Sequence, residues 1–354
     1  MNYAWRLGEL RKRLARERQL PMLITTMSNI FYLTGFLGSL AFLLISDEKE
    51  KPLFFCDGRY VSQAQEETNG RVDLILYERK PLEKIRDLVR ARGHQALYIE
   101  DALSVSAYQN LNKAEYETIA IASPVNSLRM IKSPEETRTM ERALAISEEA
   151  FRKIRCLIQE GISERSLALE LDYQLLLLGA DNTAFPTIVA SGERAACPHA
   201  RPSSRTLRKG DPVIFDWGAR VDGYCADITR TVIVGTGPSP FRETLRTLRE
   251  AQRTLEKTLQ AGMSGKDADL LCRKELDKTG LGQYFTHGLG HGVGIDVHEE
   301  PRLNQDSDTV LAAGMVVTVE PGVYLPGQGG ARIENLVLIG TGESRVLNKL
   351  SAIW

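Results

Sequence analysis

Over the first third of the chain, short apolar runs alternate with mixed stretches whose apolar residues recur at helical spacing. The runs at 22–25, 41–46, 53–56, 72–77 and 96–100 have strand length, and 3–18, 59–67 and 82–92 read as helices. That alternation predicts an α/β domain over 1–125. Residues 28–46 carry no charge, but the apolar part from Ile30 to Ile45 is 16 residues, short of the ~20 that span a bilayer. Thr34-Gly35 and Gly38-Ser39 break it, so two strands around a turn are expected there instead of a membrane span.

Beyond a connector near Ser123-Pro124 the pattern changes. Ser133-Pro134-Glu135-Glu136 is a helix start, with Ser as cap, Pro in the first turn and Glu at the third position. Helices are expected over 134–160, 163–179, 240–261 and 265–279. Residues 212–221 and 224–234 are rich in Val, Ile, Phe and Tyr and flank Asp222-Gly223, a two-residue hairpin signal. Buried strands are expected over 315–320 and 331–339. Helices segregated onto antiparallel strands make 126–354 an α+β domain.

The hairpin has a chemical consequence. With Asp222-Gly223 as its turn, Val221 faces Tyr224, Asp216 faces Thr229, and Asp227 lies diagonally from Asp216 on the same face. Diagonal neighbours are about 7–8 Å apart at the backbone, close enough for two carboxylates to converge on one site. Two Asp residues on a hairpin ordinarily mark a solvated face. Asp216, however, sits between Val213-Ile214-Phe215 and Trp217, where an ionised carboxylate needs a partner. In the second half of the chain, Glu320 ends an apolar strand at Pro321-Gly322, and alternation puts Arg332 and Glu334 on one face. The ordinary alternative for that last pair is a simple ion pair.

Residues 287–301 are the least ordinary stretch. His287, His291 and His298 fall within twelve residues, and Gly288, Gly290, Gly292 and Gly294 alternate with other residues. The glycines argue against helix and for backbone passing close to a ligand or another strand. His199 follows Cys197-Pro198 in a loop. In chain order the candidate ligands are Asp216, Asp227, His291, Glu320 and Glu334. Four carboxylates and one imidazole suit two divalent cations that share oxygen ligands, the arrangement that hydrolyses difficult bonds with an activated water.

Asp216-Trp217-Gly218, Asp227-Ile228-Thr229-Arg230-Thr231, Gly290-His291-Gly292, His298-Glu299-Glu300-Pro301, Val319-Glu320-Pro321-Gly322 and Arg332-Ile333-Glu334-Asn335 together resemble the methionine aminopeptidase, prolidase, aminopeptidase P and creatinase superfamily, and within it the proline-peptidase branch. The resemblance is strong from about 185 to 340 and weaker over the first 130 residues. It implies a "pita-bread" catalytic domain of α+β class behind a smaller α/β creatinase-like domain. It also implies two divalent metal ions. Asp216 would chelate one, Asp227 and Glu334 would bridge both, and His291 and Glu320 would complete the other. Glu320 would in addition act as general base towards a bridging water. His199 and His298 would contact the substrate, and Arg332 would orient carboxylates or receive the substrate carboxylate. Asn335 stands where many relatives have Asp.

The activity so implied is hydrolysis of the bond before proline in small peptides with proline at the second position. Two versions share these motifs: an Xaa-Pro dipeptidase, favoured by the short chain, and aminopeptidase P, which acts on longer peptides. A metal-free creatinase-like hydrolase or a peptide-binding pseudoenzyme is the reading from another class. Such relatives lose ligands, and this chain keeps all five. Mn or Co suits the donors best, and Zn or Fe is allowed. In relatives the N-terminal domain helps form a homodimer and limits substrate length.

Composition adds exclusions. With 45 basic and 46 acidic residues in 354, the net charge of −1 leaves no footprint for nucleic acid. Arg6, Glu9 and Arg11-Lys12-Arg13 precede any apolar core, so no secretory leader and no membrane partner are expected. Five scattered cysteines without paired spacing fit reduced thiols in a cytoplasmic protein.

Overall fold

The structure, a computed structural model, describes residues 1–113, 115–236 and 239–351. The chain packs into two units, residues 1–129 and residues 130 onward.

The first unit is built on a six-stranded mixed sheet in the order Asp73–Leu76, Leu53–Cys56, Phe42–Ile45, Met22–Ile24, Ala96–Glu100, Glu117–Ile121. The sixth strand escapes sequence reading because it is an edge strand whose apolar run is interrupted by exposed positions, Glu117 and Ala120 among them. Leu23, Leu44, Phe55, Leu97 and Ile99 pack on Ile85 and Val89 of the helix Pro81–Ala91. Each such side chain contributes about 1.5–3 kcal/mol on burial. The expectation of two strands over 28–46 is corrected: Met27–Thr34 is a helix, and only Phe42–Ile45 is a strand. The helix is buried on nearly all sides, so the amphipathic pattern that marks a surface helix is missing. It ends at Gly35, whose φ of 85° is the left-handed cap that favours glycine. No helix among the described residues is long and apolar enough to cross a membrane.

The second unit opens on the expected capping box. Ser133 Oγ accepts from the Glu136 N–H and Glu136 Oε2 accepts from the Ser133 N–H. Glu136 Oε1 accepts from the Tyr224 hydroxyl at 2.9 Å, which ties the helix Pro134–Ile154 to the tip of the first hairpin. That hairpin has the expected register throughout: Val221 faces Tyr224, Arg220 faces Cys225, and Asp216 faces Thr229. Asp222 and Gly223 have φ of 47° and 81°, the two positive values that a type I′ turn requires.

The hairpin is not one flat ribbon. Its outer part joins Asn182–Thr183, while Pro212–Trp217 and Ile228–Ile233 join Ile188–Ser191 in a separate sheet. The break falls at Gly218 on one strand and Ala226-Asp227 on the other. The second hairpin behaves alike. Residues 331–339, expected as one strand, divide into Gly329–Arg332 and Asn335–Leu338 in different sheets. Their partners Gly322–Leu325 and Val316–Val319 divide at Glu320-Pro321, and one register runs through both parts, with Gly322 facing Arg332 and Val319 facing Asn335. The physical reason lies between the hairpins: the Glu334 N–H donates to the Thr229 carbonyl and the Thr231 hydroxyl to the Arg332 carbonyl, so the strand leaves its own ladder to join its neighbour.

A methyl at Gly218 would collide with the Ala226 carbonyl oxygen, on a strand that cannot give way without moving Asp227. Gly218→Ala is expected to cost about 3 kcal/mol, as an overpacked core position does. Urea unfolding measures this, and a shift within ~0.5 kcal/mol, the size of a neutral surface change, would refute the close approach.

Candidate metal centre and substrate pocket

Both hairpins break where they carry acidic residues, and the breaks face one cavity of ≈ 850 Å³. Asp216, Asp227, His291, Glu320, Glu334, His199, His298 and Arg332, every candidate site residue of the sequence, border it. One ligand atom each of Asp227, His291 and Glu334 lies within 4.8 Å of the others. His291 Nε2 stands 3.4 Å from Glu320 Oε1 and 3.8 Å from Asp227 Oδ2. His291 is delivered by the strand Gly290–Gly292, whose glycines let it pass between neighbours: methyls at Gly290 and Gly292 would strike Thr318 and Glu300 backbone oxygens. The glycine alternation therefore answers to strand packing.

The electrostatics show what the donors fit. Burial pushes the Asp227 and Glu334 carboxyls well above their usual range, and their carboxylate neighbours push further. Glu320 is raised to about 7, chiefly by burial. His291 is lowered to about 3, by burial first and His298 second, so its ring is neutral. Its Nδ1 lies 3.1 Å from the Gly292 carbonyl, which can only accept. The ring proton is therefore on Nδ1, and the Nε2 lone pair faces carboxylate oxygens. Asp216 Oδ1 is buried with no hydrogen-bond partner. Lone pairs and carboxylates aimed at one another repel unless a cation lies between them, and an oxygen-rich set with one neutral imidazole fits divalent ions.

Sequence reading named Arg332 as a group that orients carboxylates but missed Thr318, Thr229 and Tyr324, which also hold these donors in place. Thr318 accepts from the His291 N–H at 2.9 Å and donates to Glu320 Oε1 at 3.0 Å. Thr229 donates to Glu334 Oε2 at 2.7 Å. Arg332 donates to Asp216 Oδ2 at 2.6 Å and to the Tyr324 hydroxyl oxygen at 2.6 Å. Tyr324 in turn lies 2.9 Å from His287 Nε2. His287 Nδ1 is 2.8 Å from the Gly288 carbonyl and the ring is lowered to about 4, mainly by burial, so Nε2 accepts the tyrosine proton. His287 belonged to the histidine cluster of the sequence, but no local signal marks Tyr324.

The segment carrying His199 is fixed from behind by Glu164, which is fully buried. It accepts from the N–H and hydroxyl of both Ser191 and Ser203 and from Arg194 Nε at 3.1 Å. Burial alone would raise its pKa, but the serine hydrogen bonds hold it below the ordinary Glu value. A depressed folded pKa stabilises above the unfolded value, and that stability is lost as pH falls through the folded one. Glu164→Gln is expected to cost about 3 kcal/mol and to raise KM with metal content unchanged. Denaturation, steady-state kinetics and elemental analysis check this. An unaltered KM would show that the Glu164 contacts do not position His199.

The model of the creatinase/prolidase N-terminal domain matches residues 6–131, and that of metallopeptidase family M24 matches residues 138–341. The chain belongs to metallopeptidase family M24. It is a peptidase with the pita-bread catalytic fold, and the family implies divalent metal. This M24 chain is 36% identical to a protein named Xaa-Pro dipeptidase from Pyrococcus furiosus, over 91% of each. Among solved structures it is similar to an Xaa-Pro dipeptidase from Bacillus anthracis, at 35% identity and a TM-score of 0.94 over 100% of both chains. It is also similar to an X-Pro aminopeptidase from Thermotoga maritima, at 32% identity and a TM-score of 0.86 over 96% of this chain and 99% of that one.

Proposed function

We propose that this M24 peptidase is an Xaa-Pro dipeptidase, with two divalent cations held by Asp216, Asp227, His291, Glu320 and Glu334. The observation that carries the reading is the convergence of four carboxylates and the unprotonated His291 Nε2 on one cavity. Mn²⁺ or Co²⁺ matches the donors best, with Zn²⁺ or Fe²⁺ also admitted. Such ions, when bound, polarise a substrate carbonyl and lower the pKa of water.

The remaining chemistry falls to the side chains. Glu320 takes the proton of the attacking water and returns it to the proline nitrogen, which must be protonated to leave. Without metal, burial holds its pKa at about 7; bound cations would lower it and keep the carboxylate ionised, ready to accept that proton. His298, kept neutral by burial and by nearby Arg302, donates with His199 to the carbonyl oxygen as charge builds there. Arg332 fixes Asp216 at the cavity wall and donates to the Tyr324 hydroxyl oxygen. An Xaa-Pro bond has no N–H, so a site that works on carbonyl and water needs no backbone donor from the substrate. Phe185, Pro186, Ile188 and Val297 give the ring an apolar wall.

Arg302 favours the dipeptidase over aminopeptidase P. It lines the same cavity near His298, where a guanidinium suits the free carboxylate that a dipeptide presents next to its scissile bond. The same reading makes the peptidase a cytoplasmic homodimer.

A matched Xaa-Pro dipeptide and Xaa-Pro-Xaa tripeptide, given to metal-stripped enzyme reloaded with Mn²⁺ or Co²⁺, test this. Preference for the dipeptide is expected, with Arg302→Gln raising KM for it about tenfold or more, the loss of one charged hydrogen bond. Preference for the tripeptide would move the assignment to aminopeptidase P. No metal-dependent cleavage of either would leave the metal-free hydrolase or the pseudoenzyme.

A further inference from the structure

A donor to the scissile carbonyl has to stay in one place, and His298 sits where a chain is ordinarily mobile. It is exposed and ends the loop 293–298, which joins the strands Gly290–Gly292 and Glu299–Leu303. Its ring packs edge-on against His291, with centroids 4.4 Å apart. The first half of the loop is tied to the first hairpin. The Cys225 N–H donates to the Gly294 carbonyl at 2.7 Å, and Arg220 donates to the Ile295 carbonyl at 3.0 Å. The half that carries His298 is tied by Glu299. Glu299 Oε1 accepts from the Asp296 N–H at 3.0 Å, which closes a clasp across Val297 and His298. Glu299 Oε2 accepts from Lys132 Nζ at 3.2 Å. A methyl at Gly294 would lie 2.7 Å from that same oxygen, so the glycine leaves the carboxylate its seat.

The Lys132–Glu299 pair is buried, its side chains 1% and 7% exposed. A buried ion pair is a poor device for stability, because two apolar side chains of like volume often do as well or better. What it adds is direction, and here one end is rigid. The Lys132 N–H donates to the Gly314 carbonyl at 2.8 Å, Ile131 bridges to Met315, and Ser133 caps the helix Pro134–Ile154. Met315 leads into the strand Val316–Val319, and the next residue is Glu320. The place of Glu299, and through it of His298, is therefore set from the strand that delivers the proposed general base. Neither Lys132 nor Glu299 is among the described residues that line the cavity.

We propose that Lys132 is a positioning residue for the peptidase reaction, holding His298 through the carboxylate of Glu299. The proposal rests on the reading of His298 as a donor to the substrate carbonyl. It gives a role to a lysine that stands more than 150 residues before that histidine in the chain.

Steady-state cleavage of an Xaa-Pro dipeptide by the Mn²⁺-loaded enzyme tests this in a double-mutant cycle. Lys132→Met keeps the stem and removes the charge. It is expected to lower kcat about tenfold, on the scale of the roughly hundredfold that a misplacement of about 1 Å costs. KM and bound Mn²⁺ are expected to stay as in the wild type. His298→Ala is expected to lower kcat about a hundredfold. In that background Lys132→Met is expected to change kcat by less than about twofold, because nothing remains to be positioned. Amide hydrogen exchange over 296–299 is expected to quicken in Lys132→Met. Should that variant not fold, Lys132→Met/Glu299→Gln is read in its place through the same cycle. It leaves neither charge unpaired and keeps an acceptor for the Asp296 N–H. An unchanged kcat, unchanged exchange, or the same loss with and without His298 would overturn the positioning role and leave the peptidase standing. A wild type that cleaves neither dipeptide nor tripeptide would overturn the reading of the site, and this proposal with it.

Discussion

Asp227→Asn is expected to lower metal-dependent cleavage by about a thousandfold or more, roughly 4 kcal/mol of transition-state stabilisation, and yet to make the metal-stripped protein more stable. The two effects have one cause. Asp227 is buried beside Glu334, Asp216 and Glu320, and burial and crowding hold its carboxyl well above the usual range. At neutral pH the stripped site folds only by keeping that proton, which the unfolded chain does not bind, and the neutral amide of Asn removes this cost. The substitution also removes a ligand. The pH dependence follows with its sign. A raised folded pKa means that the folded protein holds protons that the unfolded chain releases, so stability present at acid pH is lost as pH rises through the folded value. With Glu320 raised from 4.5 to about 7, the Tm of stripped wild type falls as pH rises from about 4.5 to about 7. Adding Mn²⁺ reverses the slope, because ionised carboxylates then bind. Differential scanning calorimetry with and without metal measures both. A stripped protein whose Tm is flat over that range, with a Mn²⁺ response that Asp227→Asn leaves intact, would contradict the assignment of Asp227 as a ligand.

Arg230→Met is expected to destabilise the protein by about 3–5 kcal/mol, the cost of breaking a fully buried charged network. Arg230 is 0% exposed, and burial lowers its pKa to about 10, so it stays charged at neutral pH. All five of its N–H groups are used. Nε donates to Ser351 O, one terminal nitrogen to Thr229 O and Glu334 O, and the other to Asn335 Oδ1 and Leu350 O. These acceptors join both hairpins to the chain after the last strand, directly beneath Glu334. Removing the guanidinium takes a donor from each of five oxygens, of which Thr229 O keeps the Glu334 N–H, and no apolar side chain replaces those donors. Lysine, with three donors and no planar fork, restores only part of the loss. Equilibrium denaturation and Mn²⁺ affinity are the readouts, and metal binding is expected to weaken as the Glu334 backbone loosens. A loss under about 1 kcal/mol, the worth of a single neutral hydrogen bond, would show that the network is dispensable.

What could be read in the chain before folding was what local chemistry controls. Asp222-Gly223 specifies a turn, and the turn specifies every pair along the first hairpin, including Asp216 opposite Thr229. Ser133 and Glu136 specify a helix start for the same reason. The features that escaped depend on distant groups. The break at Ile333-Glu334 arises because the Glu334 N–H turns to Thr229 O, a partner over a hundred residues away. Met27–Thr34 folds as a helix because it is surrounded by core, which erases its periodicity. Tyr324 and Glu164 matter through what they touch, and neither stands in a motif. The proposed ligands were legible because carboxylates amid apolar strands require a partner.

Titrating Mn²⁺ into the stripped wild type and into Asp227→Asn by isothermal calorimetry tests the central claim most directly, that five side chains from two broken hairpins and a glycine-rich strand hold a pair of cations. Two equivalents per chain are expected for the wild type and fewer, more weakly bound, for the variant. Saturation of the wild type at one equivalent or none, or a variant that binds as the wild type does, would contradict it.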